Sequence, residues 1–166
     1  MATSELLGPV FPTVDSVACN TGPGYAVNAA DLVKFAAIGV AILMLARVAR
    51  GRLTRWGKTV AAIAAVASIV TGVANGVEHC AHLEAVGLVY VLGLGVGILA
   101  TAGFGVLLAR TGALPGWIGW VVTAGALAFL FRANEGGRAI DAIAWTVVGV
   151  GLLVGALRVA HRNQLG

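Results

Sequence analysis

A basic segment from Arg47 to Lys58 separates two long apolar runs and constrains this chain more than any other feature. Its sequence, RVARGRLTRWGK, holds five of the eleven Lys and Arg residues in the chain. Each flanking run has about the 20 residues that a helix needs to cross the hydrocarbon core of a bilayer. Basic loops between such runs are retained on the cytoplasmic side. The segment therefore predicts a cytoplasmic turn between two membrane-spanning helices.

The composition indicates the same class of protein. Of the 166 residues, 59% are hydrophobic and only 11% are charged, whereas soluble domains have roughly 25% charged residues. Too few charges are present to cover a globule in water, so we expect an integral membrane protein whose main partner is the lipid bilayer. The basic residues cluster beside apolar runs, which is typical of contact with lipid headgroups and argues against a nucleic-acid partner.

The apolar runs predict an all-α fold, a compact bundle of five transmembrane helices in a single domain, residues 28–162. The predicted helices are 28–49, 57–78, 84–110, 115–132 and 138–159. Asn28 is a plausible N-cap for the first helix. Residues 1–27 would then form an extracytoplasmic tail and residues 163–166 a cytoplasmic one.

The distribution of basic residues predicts the orientation. With the N-terminus outside and the C-terminus in the cytoplasm, eight of the eleven Lys and Arg residues lie inside. These eight are Arg47, Arg50, Arg52, Arg55, Lys58, Arg110, Arg158 and Arg162. The opposite orientation would put all eight outside, against the retention of basic loops in the cytoplasm. We therefore expect a multi-pass protein of a bacterial-type plasma (inner) membrane.

Small residues at a spacing of four predict which helices pack closely. Such rows let helix backbones approach each other in lipid, where van der Waals contact replaces the hydrophobic effect. They occur in the second, third and fifth predicted helices, which we expect to form the tightly packed centre. Their glycines are Gly72, Gly76, Gly93, Gly97, Gly105, Gly151 and Gly155. A ligand seat, or a surface on which helices slide, is the alternative interpretation.

The two cysteines, Cys19 and Cys80, both fall on the predicted outer side, where disulfides form. A bridge between them would hold the proline-rich tail across the mouth of the bundle. On the chain-entropy model a loop of this length contributes roughly 4 kcal/mol. The alternative is a pair of free thiols.

A ring of polar and ionisable residues near the predicted outer end indicates a candidate pocket. Its members are Asp31, Lys34, Asn75, Glu78, Arg132, Glu135, Arg138, Asp141 and Trp145. By residue count, Lys34 and Asp141 lie about 5–10 Å inside the hydrocarbon boundary. Charges at such depth are costly and usually face the bundle or a wet cavity. Alternatively, Asp31 with Lys34 and Arg138 with Asp141 are neutralising i,i+3 pairs.

The sequence holds little that indicates an enzyme or a metal protein. His79 and His82 could bind zinc or copper, but a solvated pair of loop histidines or a sensor of external pH is the favoured interpretation. Hydrolase, zinc-protease and phosphate-loop motifs are missing from the sequence. We predict no cofactor.

The segment Arg110 to Trp120, RTGALPGWIGW, resembles a recurring turn in multi-pass proteins of high-GC bacteria, where a basic residue, Leu-Pro and Trp-x-Gly-Trp open a helix. It covers eleven residues and implies no activity. The chain length is similar to that of the tryptophan-rich translocator sensory proteins, but this chain has only four Trp and lacks their Pro- and Trp-dense first loop. These resemblances assign no family.

The favoured functional hypothesis is a small, non-enzymatic membrane protein with an outward-facing polar pocket that binds or passes a small molecule or ion. The alternative is an accessory or structural subunit that packs its glycine faces against a larger membrane complex; a homo-oligomer is a further possibility. A membrane enzyme or metal site that uses His79, His82 and Asp141 is the most remote hypothesis.

Overall fold

The computed structural model describes Cys19, residues 22–132 and residues 138–164, with only the backbone described at some helix ends. Within these ranges the chain is helical and contains no strand. The helices are α1 (Gly22–Val48), α2 (Arg55–Ala81), α3 (Gly87–Thr111), α4 (Gly116–Arg132) and α5 (Arg138–Gln164), and a 3-10 turn, Glu84–Val86, precedes α3. The prediction of an all-helical protein is confirmed for this part of the chain.

In the described part of the chain, three helices are long and apolar enough to cross a membrane. They are Gly24–Val48 of α1, Arg55–Ala81 (α2) and Gly87–Thr111 (α3). The described parts of α4 and α5 contain shorter apolar stretches, Gly116–Phe129 and Ile140–Val154. These lengths indicate a membrane protein.

Local chemistry explains where the helices begin and end. The side chain of Thr54 accepts a hydrogen bond from the N–H of Gly57 at 3.1 Å and caps the start of α2. After the last residue of α3, Gly112 takes a left-handed conformation with φ of 61°, which glycine adopts without a steric penalty. The guanidinium of Arg52 donates to the carbonyl of Gly112 at 2.6 Å, so the α1–α2 turn is tied to the α3–α4 turn.

The helix α1 begins at Gly22, earlier than predicted, and Asn28 is an interior residue, not the N-cap. Pro23 does not prevent this start because a proline in the first helical turn has no intrahelical hydrogen bond to lose. Asn28 is accommodated inside the helix because its side-chain amide donates to the carbonyl of Gly24 at 3.0 Å. The early start moves Lys34 further from the end of the helix.

The order of packing differs from the prediction for α5. Among the described residues, α2 packs against α1 and α3, α3 packs against α4, and α5 packs mainly against α4. The centre therefore contains α2 and α3, as expected, but α4 takes the place predicted for α5. The cause is a close approach between glycines: a Cβ atom on Gly119 of α4 would lie 2.8 Å from the Cα of Ala109 in α3, and it would also meet the carbonyl of Gly105.

The other predicted packing glycines divide among several interfaces. Gly93 and Gly97 lie against α2, Gly72 against α1, and both Gly105 and Gly151 against α4. Gly76 has open space around it, with nothing within 4 Å of a Cβ atom built there. Gly155 is in α5, but its surroundings lie outside the described part of the structure.

The two ends of the bundle differ in character. We call the end with Arg47–Lys58 the basic end and the end with Cys19 and Cys80 the disulfide end. The largest fully buried apolar side chains, Phe104, Ile42, Leu45, Leu108 and Ile118, pack together in the half near the basic end. Many large apolar side chains point outward, among them Leu92 and Leu99; such a surface suits lipid and would be a liability in water.

Candidate functional site

A small cavity lies at the centre of the bundle, and all five helices contribute to its wall. Its volume is about 40 Å³, which is room for roughly two or three water molecules. The polar groups of the wall are Ser68, Thr71, Thr101, Asp141 and Trp145. The cavity is therefore partly polar and large enough for water.

A wider crevice of about 240 Å³ lies between α1 and α5. Three of its residues, Ile38, Asp141 and Trp145, also line the central cavity, so the two spaces are neighbours. Among the described residues, α1 and α5 make few direct contacts with each other. The crevice is thus the side of the bundle on which the ring of helices is least tightly closed.

Asp141 is the charged residue that the two spaces share. It lies in the first turn of α5, where the helix dipole favours a carboxylate, and only 6% of its surface is exposed. The indole N–H of Trp145, one turn later on the same helix, hydrogen-bonds to this carboxylate. Gly125 of α4 lies close to this part of α5: a Cβ atom built there would lie 2.7 Å from the Cβ of Ala144 and in van der Waals contact with Oδ1 of Asp141, at 3.4 Å.

Lys34 of α1 faces Asp141 across the crevice. Its charge interacts electrostatically with the carboxylate. The ammonium nitrogen lies over two aromatic rings, 5.4 Å from the centroid of Phe35 and 5.2 Å from that of Phe129, within the range of a cation–π interaction. One interpretation of this arrangement is structural: the charges of Lys34 and Asp141 neutralise each other between α1 and α5, which have few other contacts among the described residues.

Both charges lie far from the ends of the helices beside them. With a rise of about 1.5 Å per residue, Lys34 is roughly 15 Å along α1 from Gly24 and roughly 20 Å from Arg47. Asp141 lies beside Gly125, in the middle of α4. The predicted depth of about 5–10 Å is measured from a hydrocarbon boundary that the structure does not contain, so it stays a prediction. Charges at such depth are rare and usually functional.

The central cavity does not continue to the basic end in the described structure. Phe104 and Ile42 have no exposed surface, and they belong to the apolar cluster that fills that half of the bundle. Among the described residues, such packing leaves no polar path for water or an ion. The central cavity thus adjoins the crevice and is separated from the basic end by apolar side chains.

Two other predicted pocket residues have contacts away from the cavity. The side-chain amide of Asn75 donates to the side-chain oxygen of Asn28 at 3.1 Å, which joins α2 to α1. The carboxylate of Glu78 lies against Gly87, the first residue of α3: a Cβ atom there would be 2.7 Å from Oε1. Glu78 thus stabilises the positive end of the α3 dipole. Asp31 is half-buried in α1 and lines neither space.

The remaining predicted pocket residues cannot be placed. Glu135 and the side chains of Arg132 and Arg138 lie outside the described residues. The proposed pairing of Arg138 with Asp141 therefore stays a prediction.

The two cysteines lie at disulfide-bonding distance, with Cα atoms 4.7 Å apart. The backbone N–H of Cys19 also donates to the carbonyl of His79 at 3.4 Å. This pairing joins the segment before α1 to the end of α2, as the predicted bridge would.

His79 and His82 do not lie on one continuous helix. His79 is in the last turn of α2, whereas His82 follows its end with a left-handed φ of 54°. Across the described residues no group of three His, Cys, Asp or Glu side chains could hold a metal ion.

Sequence reasoning missed the residues that shape the wall around Asp141. The ammonium of Lys34 lies over the rings of Phe35 and Phe129, and Gly125 allows the close approach of Ala144 in α5. A signal for two other missed positions existed: Gly119 and Thr123 of α4 have the same spacing of four as the small-residue rows that were recognised. Nothing in the sequence marks the two phenylalanines, because aromatic residues are common in membrane helices.

Comparison with known proteins identifies no relative. The chain matches no protein-family model, no curated protein and no solved structure.

Proposed function

We infer that the protein is a small, non-enzymatic integral membrane protein that binds a small molecule or ion in the space around Asp141. One observation carries this proposal: a buried carboxylate at mid-depth of the bundle lines both the central cavity and the crevice between α1 and α5. An ionisable group inside a membrane is costly unless it is paired or functional. Here it borders empty, partly polar space, which a purely structural charge pair does not need.

Binding is favoured over passage. The apolar cluster around Phe104 and Ile42 fills the half of the bundle below the cavity, so an ion would have to cross close-packed side chains. The space is also small. A volume of about 240 Å³ is below the range of roughly 300–1,000 Å³ for drug-sized ligands, so the ligand we propose is a small one.

The proposed setting is a bacterial plasma membrane with five membrane crossings. In this arrangement the disulfide end is outside, the basic end is cytoplasmic, and the crevice opens in the outer half. The basic residues at one end support the orientation. The apolar stretches of α4 and α5 support two crossings in addition to those of α1, α2 and α3.

Native mass spectrometry from mild detergent tests the proposal. We expect the wild-type protein to retain a small bound molecule or ion, and Asp141→Asn to lose it. Asparagine keeps the size of the side chain and the oxygen that accepts from Trp145, so the change removes mainly the charge. Asp31→Asn is the matched control, because Asp31 is an acid of α1 that lines neither space, and it should retain the bound species.

Two results would contradict the proposal. One is a bound species that survives in Asp141→Asn unchanged. The other is wild-type protein that carries no small ligand but co-purifies with a polypeptide at fixed stoichiometry, which would support the alternative role as an accessory subunit.

A further inference from the structure

The two charged groups of the crevice differ in how firmly they are held. Asp141 has a short side chain, is almost fully buried, and is hydrogen-bonded by the indole of Trp145. Lys34 has a four-carbon stem, is only half-buried and borders the crevice. The carboxylate is therefore the fixed group of the site, and the ammonium is the group that can move.

The fixed part of the site has the chemistry of a cation receptor. Phe35, Phe129 and Trp145 line the central cavity together with the carboxylate. Aromatic faces attract ammonium groups, and more strongly where water is excluded. The ammonium of Lys34 makes such a contact, since it lies within 5.4 Å of the ring centroids of Phe35 and Phe129.

We propose that the site around Asp141 takes a small organic ammonium cation, and that the ammonium of Lys34 occupies the same place when no ligand is bound. This inference rests on the proposed binding function and names its ligand class. An incoming cation displaces the ammonium of Lys34 further into the crevice and pairs with the carboxylate in its place. An anion would have to approach Lys34 beside a carboxylate that cannot move away.

The crevice between α1 and α5 is the route by which the ligand enters. Its wall includes the small residues Ala37, Ala41 and Ala142, and the two helices have few direct contacts among the described residues. A ligand that enters between two helices through this crevice comes from the bilayer, where ammonium compounds with an apolar portion accumulate. The ligand class is thus a small amphipathic amine.

Chemical rescue tests the inference. Lys34→Ala removes the atoms that correspond to n-propylammonium, so this ion is the probe, and thermal unfolding in mild detergent is the measurement. A ligand of the folded state raises the unfolding midpoint. We expect Lys34→Ala to bind n-propylammonium about tenfold more tightly than the wild type. In the wild type the ammonium of Lys34 occupies the site, so the apparent affinity for the added ion falls in proportion to the fraction of sites that are free.

Three comparisons make the test specific. The double variant Lys34→Ala with Asp141→Asn should lose the response, since it lacks the carboxylate. Lys58→Ala, which removes an exposed lysine at the basic end, should behave as the wild type. Sodium propionate and 1-propanol, an anion and a neutral molecule of the same length, should not stabilise Lys34→Ala.

A response to propionate, an equal response to propanol, or a response that persists in the double variant would overturn the cation assignment. Such results would leave the proposed binding function standing, because that depends on the species retained by the wild type and lost in Asp141→Asn. If Lys34→Ala does not purify in sodium chloride, purification in n-propylammonium chloride but not in sodium propionate would support the inference. Failure to purify in either would count against it.

Discussion

The side-chain amide of Asn75 in α2 donates a hydrogen bond of 3.1 Å to the side-chain oxygen of Asn28 in α1. Both side chains are almost fully buried, at 5% and 3% exposed. The pair lies at the disulfide end, where Cys19 is also joined to the end of α2. The hydrogen bond therefore joins α1 to α2 at the same end of the bundle at which Cys19 is joined to α2.

Replacement of Asn75 by Ala should destabilise the protein by about 1 kcal/mol. Interhelical hydrogen bonds within membranes contribute on the order of 0.6 kcal/mol and up to roughly 1.7 kcal/mol. The free energy of unfolding in mild detergent is the measurement. Thr146→Ala is the control, because the hydroxyl of Thr146 is exposed and bonds only to the carbonyl of Ala142 in its own helix. Equal losses in the two variants would show that the Asn28–Asn75 bond adds no stability.

Replacement of Gly119 by Ala should destabilise the α3–α4 interface by roughly 1–3 kcal/mol, the usual cost of an inserted methyl group in a packed core. The added Cβ would meet the backbone of Gly105 and Ala109, which cannot move aside as a flexible side chain can. Gly95→Ala in α3 is the control, because nothing lies within 4 Å of its Cβ position. The control should be neutral or slightly stabilising, since alanine favours a helix by up to about 1 kcal/mol over glycine. A loss in the control equal to that in Gly119→Ala would contradict this account of the interface.

The positions of the helices could be predicted from the sequence because charged and Gly- or Pro-containing turns interrupt the apolar runs. Arg47–Lys58 marks the turn between α1 and α2, and Pro115 comes directly before α4. The identity of the packing partners could not be predicted. A row of small residues shows that one face of a helix permits close approach, but not which helix approaches it, and so α5 was assigned to the place that α4 holds.

The candidate site was predicted only in part. Lys34, Asp141 and Trp145 were recognised as polar groups inside an apolar helix, and the structure brings them to one crevice. Asn75 and Glu78 were grouped with them because they lie at a similar distance from the turns. Depth along the bundle depends on how the helices are staggered, which a residue count within one helix does not reveal.

The proposed orientation predicts which cysteines a membrane-impermeant thiol reagent reaches in intact cells. After mild reduction, Cys19 and Cys80 should be labelled. As the control, a cysteine at Gly51 should be introduced into a Cys19→Ser, Cys80→Ser background, because Gly51 is exposed in the α1–α2 turn and a side chain there meets nothing within 4 Å. It should react only after the membrane is opened. The reverse pattern would place the basic end outside and invert the proposed topology.

Replacement of Trp145 by Phe tests the group that fixes Asp141. Phenylalanine keeps an aromatic ring in the cavity wall but removes the N–H that hydrogen-bonds to the carboxylate. A buried acceptor that loses its donor costs on the order of 1–3 kcal/mol, so the free energy of unfolding in mild detergent should fall by that amount. Trp120→Phe is the control, since Trp120 is 55% exposed on α4 and should change stability little. If the two substitutions cost the same, the indole of Trp145 contributes as an apolar body alone, and Asp141 would no longer count as the fixed group of the site.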